Sequence, residues 1–248
     1  LTLVANGLVL SQGIGAPGLR ASLDELNWIG NFSSANGITL VSTSAGVKNI
    51  DDVRGKEVTI GSSGAGSISA LLPAAHNAFA GAKFKVVQGY EGSAQMNLAI
   101  RRGEIHGRSG GAWSELQAEF PEEVRAGSVL PLTQTGKTRD PGLPNVPLLT
   151  EIARGDERNL AGARFVSEAL SQPRSLAAPP GVPAEIVAVL RAAFQKAIAD
   201  PEFLDQARRA HLEITPVTGE EVQKSVRAAL GTAAAIRDYV KTALGAHN

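Results

Sequence analysis

Residues 57–70 read EVTIGSSGAGSISA. Glu57–Ile60 has the pattern of a short strand, and Gly61–Ser67 holds three glycines and three serines. Ser67–Phe79 then reads as a helix with Ile68, Leu71, Leu72 and Ala75 on one face. Pro73 is an internal flaw in that helix. A helix N-terminus leaves backbone N–H groups unpaired and carries a partial positive charge. A Gly/Ser loop lets an anion approach those groups closely. Ser62, Ser63 and Ser67 add hydroxyl donors without fixed charge. The plainer alternative is that Gly61 and Gly64 only make a tight strand-to-helix turn. Two nucleotide motifs fail here. A P-loop needs Lys-Ser/Thr after the last glycine, whereas Gly66 precedes Ser67 and Ile68. A dinucleotide fingerprint needs a third glycine and an acid ending the next strand, whereas that strand ends in Val87-Gln88.

Two further small-residue turns follow, Gly89-Tyr90-Glu91-Gly92-Ser93 and Gly107-Arg108-Ser109-Gly110-Gly111. Three such turns in succession, each between a strand and a helix, suggest one cleft. Tyr90, between two glycines, is a candidate to face a ligand. Arg108 is a cation able to grip a carboxylate through two parallel hydrogen bonds. Its alternative role is a surface or ion-paired arginine. Residues 107–111 also match G-x-S-x-G, the nucleophile turn of α/β hydrolases. Ser109 would be the nucleophile, with His211 later in the chain. The strand expected before it, Glu104–His106, is short and not apolar, which argues against that chemistry. Trp113 lines the cleft or anchors its helix to the core.

The composition narrows the choices. The chain has 248 residues, enough for one large domain or two lobes, and is 43% hydrophobic. Formal net charge is zero, which gives no nucleic-acid footprint. There are no cysteines, so thiol catalysis, disulfides and thiolate metal sites are excluded. His76, His106, His211 and His247 are scattered, with no metal-ligand spacing among them. Neither a metal nor a cofactor is expected. No apolar run approaches the roughly 20 residues that span a bilayer.

The positioning elements read as follows. Leu1–Val4 is a strand with Asn6-Gly7 as its turn, followed by the loop SQGIGAPG. The chain starts inside this apolar run, which suggests an upstream part cut away or omitted. Asn27–Phe32 and Gly37–Ser42 are strands. Asp51–Val53 is a helical turn stopped by Gly55. Phe84–Val87 is a strand, Ser93–Arg102 a helix stopped by Gly103, and Ala112–Phe120 a helix stopped by Pro121. Residues 131–147, with four prolines and two glycines, read as a connector, and Phe165–Leu176 as extended. Ile186, Leu190, Phe194 and Ile198 repeat every four residues and mark a helix. Asp200-Pro201 caps and opens the next one. Leu212–Thr215 is a strand. Thr218 and Glu221 form a capping box. Strands alternating with helices predict an α/β fold with largely parallel sheets.

GSSGAGS (61–67), YEGSA (90–94), RRGEIHG (101–107), LPNVPLLTEIA (143–153), APPGVPAEIVAVLRAAFQKAIADPEF (178–203) and LEITPVTGEEV (212–222) occur in this order over essentially the whole chain. Together they resemble the substrate-binding proteins of tripartite tricarboxylate transporters, the TctC or Bug family. His106 stands where that family has aspartate, and GRSGGAW departs from its apolar continuation, which suggests a divergent branch. The resemblance implies a two-lobe periplasmic-binding-protein type II architecture, with the family's first strand and helix of lobe one absent. Lobe one would take 1–43 and 163–248, and lobe two 44–162. It implies a periplasmic, non-enzymatic protein that takes a small carboxylate between its lobes and delivers it to membrane permease subunits. By the same resemblance Ala5, Asn6 and Gly7 are the lobe-one contacts. Ser62, Ser63, Gly64, Ala65, Gly66 and Ser67, with Tyr90, Gly92, Ser93 and Ala94, are the lobe-two contacts. Arg108 and Ser109 complete the candidate binding set. A serine hydrolase and a ligand-sensing module on the same fold are the competing classes. Lacking a lobe-one strand, the sheet would expose an edge, so self-association is expected.

Overall fold

The structure, a computed structural model, describes residues 1–245 other than 6, 17, 18, 20, 21, 172, 173 and 211. The chain begins with β1 (Thr2–Ala5), α1 (Gly7–Gly13), β2 (Asn27–Asn31) and β3 (Gly37–Ser42). Next come α2 (Ile50–Gly55), β4 (Val58–Ser62), α3 (Ile68–Ala80), β5 (Phe84–Gln88), α4 (Ser93–Arg101) and β6 (Gly107–Ser109). They lead into α5 (Trp113–Glu119), α6 (Pro121–Ala126), β7 (Val129–Thr135), α7 (Leu149–Ile152) and α8 (Glu157–Ala169). The last third holds β8 (Arg174–Ala178), α9 (Ala184–Ala199), α10 (Pro201–Arg209), β9 (Val217–Thr218), α11 (Gly219–Leu230) and α12 (Ala234–Ala243).

The strands form two sheets, ordered β1-β8-β2-β9 and β5-β4-β6-β3-β7. This is the expected mixed α/β class, but the strands are not largely parallel. Among the described residues the two parallel ladders are β4–β5 and β4–β6, and the other strand ladders are antiparallel. The reason is topological. β8 returns from far along the chain and inserts between β1 and β2, while β3 alone runs against the common direction of β4, β5, β6 and β7, so both of its ladders are antiparallel. β3 lies in the stretch expected within lobe one, yet it pairs with β6 and β7 of the second sheet. Its apolar residues alternate to both faces, and Ile38, Leu40 and Val41 are all buried.

Several local expectations are corrected. The stretch after Ala5 is not a turn and loop: α1 occupies Gly7–Gly13. Its glycines hid it, because Gly13 is a contact point. A Cβ there would lie 2.5 Å from the Phe165 ring of α8. Asn6, expected in that turn, lies outside the described residues. The proline-rich connector begins with a true strand, β7. It tolerates Pro131 at a register shift against β3, between the Thr39–Thr133 and Leu40–Pro131 pairs. Phe165–Ala169 belongs to α8, whose N-terminus is capped by Asp156 accepting from Arg158 N and Asn159 N. Leu212–Thr215 is irregular, and the strand is the two-residue β9. On α9 the buried residues are Val187 and Phe194, while Ile186 is exposed.

Other expectations hold. Ser67 is the N-cap residue of α3, and Pro73 sits inside that helix without ending it. Asp200 accepts from Glu202 N (2.8 Å) and Phe203 N (3.1 Å) at the start of α10. Thr218 and Glu221 exchange the two bonds of a capping box. The largest apolar cluster joins α1, α8, α11 and α12 with Leu71, Leu72, Ala75 and Phe79 of α3. α3 therefore packs into the core beneath the first sheet although its neighbours in sequence, β4 and β5, belong to the second.

Candidate functional site

The Gly/Ser loop is tightly bonded to itself. Ser67 Oγ donates to Gly64 O at 2.7 Å and lies 2.8 Å from Ser69 Oγ. Ser62 Oγ donates to Gly64 O (3.1 Å), and Ser63 N donates to Ser69 Oγ (3.2 Å). Ser62 is fully buried, whereas Ser63, Ala65 and Gly66 are exposed. These hydroxyls therefore hold the turn's shape first. Tyr90 N donates to Ser62 O at 3.3 Å, which joins the second turn to the first. The Tyr90 ring packs against the cluster of Met96, Ile100 and Phe120. Gly92 is half-buried at the N-cap of α4, and Ser93 and Ala94 are exposed in its first turn.

The third turn differs more from its sequence reading, because Gly107, Arg108 and Ser109 form β6 itself. Ser109 is buried, and its hydroxyl lies 2.9 Å from Thr39 Oγ1 on β3. His211 lies outside the described residues. Arg108 is 4% exposed. Its Nε donates to Asn97 Oδ1 at 2.7 Å, Nη1 to Gly110 O at 3.1 Å, and Nη2 pairs with Glu119. Asn97 Nδ2 closes the ring on Glu119 at 3.0 Å. Burial pulls the guanidinium's pKa down, and Glu119 counters it. Of the two roles weighed for Arg108, this geometry is the ion-paired one. His106 joins β6 to β4 by accepting from Thr59 N at 3.0 Å.

Between the sheets lies a cleft of about 340 Å³. Leu3 and Val4 of β1 and Arg174 of β8 form one wall. Asn36 just before β3, Gly37 at its start, Gly110 and Gly111 after β6, Glu115 of α5 and Thr135 of β7 form the other, and Ile68 and Leu72 of α3 close the floor. Residues flanking this cleft include several that the sequence singled out. Ala5 is the register partner of Arg174 across β1–β8. A Cβ on Gly7 would touch Ile68 at 3.7 Å, so the end of β1 meets the start of α3. Ser67 precedes Ile68, and Ser109 precedes Gly110. By contrast Ala65 and Gly66 line a separate cavity of about 610 Å³ against Leu8, Ser11 and Ile14.

The polar groups that do line the cleft were not singled out in the sequence. Arg174 forms an ion pair with Glu115, and the other Glu115 oxygen accepts from Ala112 N at 3.0 Å. Asn36 is held by its amide, which donates to Gln134 Oε1 (2.6 Å) and Thr138 O (2.7 Å). Thr135 Oγ1 is buried without a hydrogen-bond partner. At Ala112 and Glu115 only the glutamate half of a capping box exists, because alanine has no side-chain acceptor, so the usual sequence signature is missing. Nothing local marks Arg174 or Thr135.

Two sheets on either side of a cleft lined by both polar and apolar residues give the chain a two-lobe α/β architecture. The family model of the tripartite tricarboxylate transporter family receptor, TctC, matches residues 20–237. The chain belongs to this family. Its fold is similar to a TctC solute-binding protein from Polaromonas, with a TM-score of 0.69 at 20% identity over 97% of this chain and 76% of that one. It is also similar to an R. palustris protein solved with adipate (TM-score 0.65, 18% identity, 98% and 77% covered). MatC from Rhodopseudomonas palustris, with bound malate, gives a TM-score of 0.61 at 17% identity, with 93% and 77% covered. No curated protein sequence matches the chain.

Proposed function

We propose that the protein captures a small organic acid in the cleft between its sheets and hands it to the membrane permease of a tripartite tricarboxylate-type transporter. The observation that carries this reading is the cleft itself. It presents a guanidinium, Arg174, on one wall, and Thr135, beneath the surface of the opposite wall, carries a buried hydroxyl without a partner. A guanidinium offers planar paired donors that suit a carboxylate, and a buried hydroxyl without a partner is costly until a ligand or water satisfies it. Two similar folds were solved with dicarboxylates, adipate and malate, which supports an acid as the solute. Ala5, Gly7, Ser67 and Ser109 flank the site, and Ala65 and Gly66 form the rim of the neighbouring cavity. The lobes follow the sheets: the crossing falls between Asn31 and Gly37, and again between β7 and β8. A periplasmic location fits this role, and among the described residues no helix is long and apolar enough to cross a membrane.

Catalysis is not needed for this reading, and the family and fold are those of substrate-binding proteins. The test is a thermal-shift screen with mono-, di- and tricarboxylates and amino acids. A solute that binds the folded form raises the melting temperature by mass action. Arg174→Gln should abolish the rise, and Ser109→Ala should leave it in place. If no acid shifts the melting temperature, the reading fails. Fractionation of the producing cells tests location: recovery with the cytosol counts against delivery to a permease.

A further inference from the structure

The charges in the cleft specify more than a carboxylate. Arg174 and Glu115 are the charged residues among the described residues that line it, and they are paired to each other across the cleft, from β8 on one side to α5 on the other. Their side chains are 32% and 25% exposed, so both reach the cleft while largely desolvated. The site is therefore electrically neutral before any solute enters. A dicarboxylate would add two negative charges beside a guanidinium already neutralised by Glu115. Desolvated charges without partners are strongly unfavourable.

We infer that the solute is a zwitterion, a small monocarboxylic acid that carries an ammonium group. This rests on the cleft being the solute site. The carboxylate takes the guanidinium edge of Arg174 not directed at Glu115. The ammonium takes Glu115, whose Oε2 still has a lone pair beyond the bond from Ala112 N. Four alternating charges then close a ring, and no charge is left uncompensated. The Arg174–Glu115 pair need not break. Glu115 is fixed by its capping bond from Ala112 N, and the Arg174 backbone is fixed by its own N–H donating to Asn31 Oδ1 at 3.0 Å.

The experiment is calorimetric titration of the protein with matched probes: butyrate, 2-aminobutyrate, 4-aminobutyrate and succinate, and the corresponding five- and six-carbon sets. We expect an amino acid of one of these sets to bind at least about ten-fold more tightly than the monocarboxylate and dicarboxylate of equal length. Glu115→Gln should weaken that amino acid by a similar factor and strengthen the dicarboxylate. A gain of that kind cannot come from loss of the fold. A dicarboxylate that beats every amino acid on the unaltered protein overturns the inference and leaves the solute-binding reading standing. An amino-acid preference unchanged by Glu115→Gln also overturns it. If no probe binds, both fall.

Discussion

The hydroxyl of Thr133 on β7 donates to Nε2 of His76 on α3 at 2.6 Å, and Nδ1 of the same ring donates to Leu72 O at 2.6 Å. The imidazole is fully buried and bonded at both nitrogens, and its burial, more than these bonds, keeps it neutral near pH 7. Burial holds its pKa down, from 6.5 to about 4, against the backbone carbonyl that favours the proton. The unfolded chain takes up the proton first as pH falls. Stability is therefore complete above pH 6.5 and is lost between pH 6.5 and about 4, by on the order of 3 kcal/mol. Chemical denaturation across that range checks this, and His76→Gln should flatten the slope. A slope unchanged in the variant would assign the acid sensitivity to carboxylates.

Gly107 lies where β6 and β3 approach most closely. A Cβ there would sit 2.1 Å from Leu40 O, a backbone atom in a central strand that cannot swing aside. Gly107→Ala should destabilise the fold by about 3 kcal/mol or more. Equilibrium denaturation reads this directly. A loss below about 1 kcal/mol would mean that the two strands separate easily.

Arg108 is committed to Asn97, Gly110 and Glu119. Arg108→Ala should therefore cost stability, by about 3 kcal/mol, because it strands a carboxylate and an amide in a low-dielectric setting. The dissociation constant of a bound acid should change by less than about three-fold in whatever fraction remains folded. Titration at low temperature separates the two effects. A large affinity loss with unchanged stability would return Arg108 to the binding surface.

Thr135→Val gives an opposed pair of readouts. The buried hydroxyl has no partner, so replacing it by a methyl should raise the stability of the unliganded protein by up to about 1 kcal/mol. The same change should weaken solute binding. Melting curves with and without solute give both numbers. A loss of unliganded stability would show that an ordered water already satisfies the hydroxyl.

How much of this was readable in the sequence depended on the range of the interactions. α10 and α11 follow from bonds spanning two or three residues, at Asp200 and at Thr218–Glu221. β2, β3 and β4 follow from runs of apolar residues. α1 was hidden because Gly13, a helix breaker by propensity, is required by the Phe165 ring that rests on it. β7 was hidden because Pro131 is tolerated only at a register shift that needs β3 beside it. The cleft's ion pair joins residues 59 apart, Arg174 on β8 of the first sheet and Glu115 on α5, the helix that follows β6 of the second. Arg174 and Glu115 acquire meaning only after β8 has been inserted beside β1. The Gly/Ser loop, by contrast, was conspicuous in the sequence because its serines bond locally to each other.

α3 supplies Ile68 and Leu72 to the cleft while Leu71, Ala75 and Phe79 sit in the shared core. Its N-cap, Ser67, makes no side-chain capping bond, and the first turn is held by the Ser69 hydroxyl bonds to the loop and by what packs on Ile68 and Leu72. Occupation of the cleft should therefore oppose opening of that turn. Amide hydrogen exchange along the helix becomes a gauge of occupancy. The amides after Ser67 should slow as solute is added, in proportion to its saturation, while those around Phe79 keep the rate set by global unfolding until that too is raised.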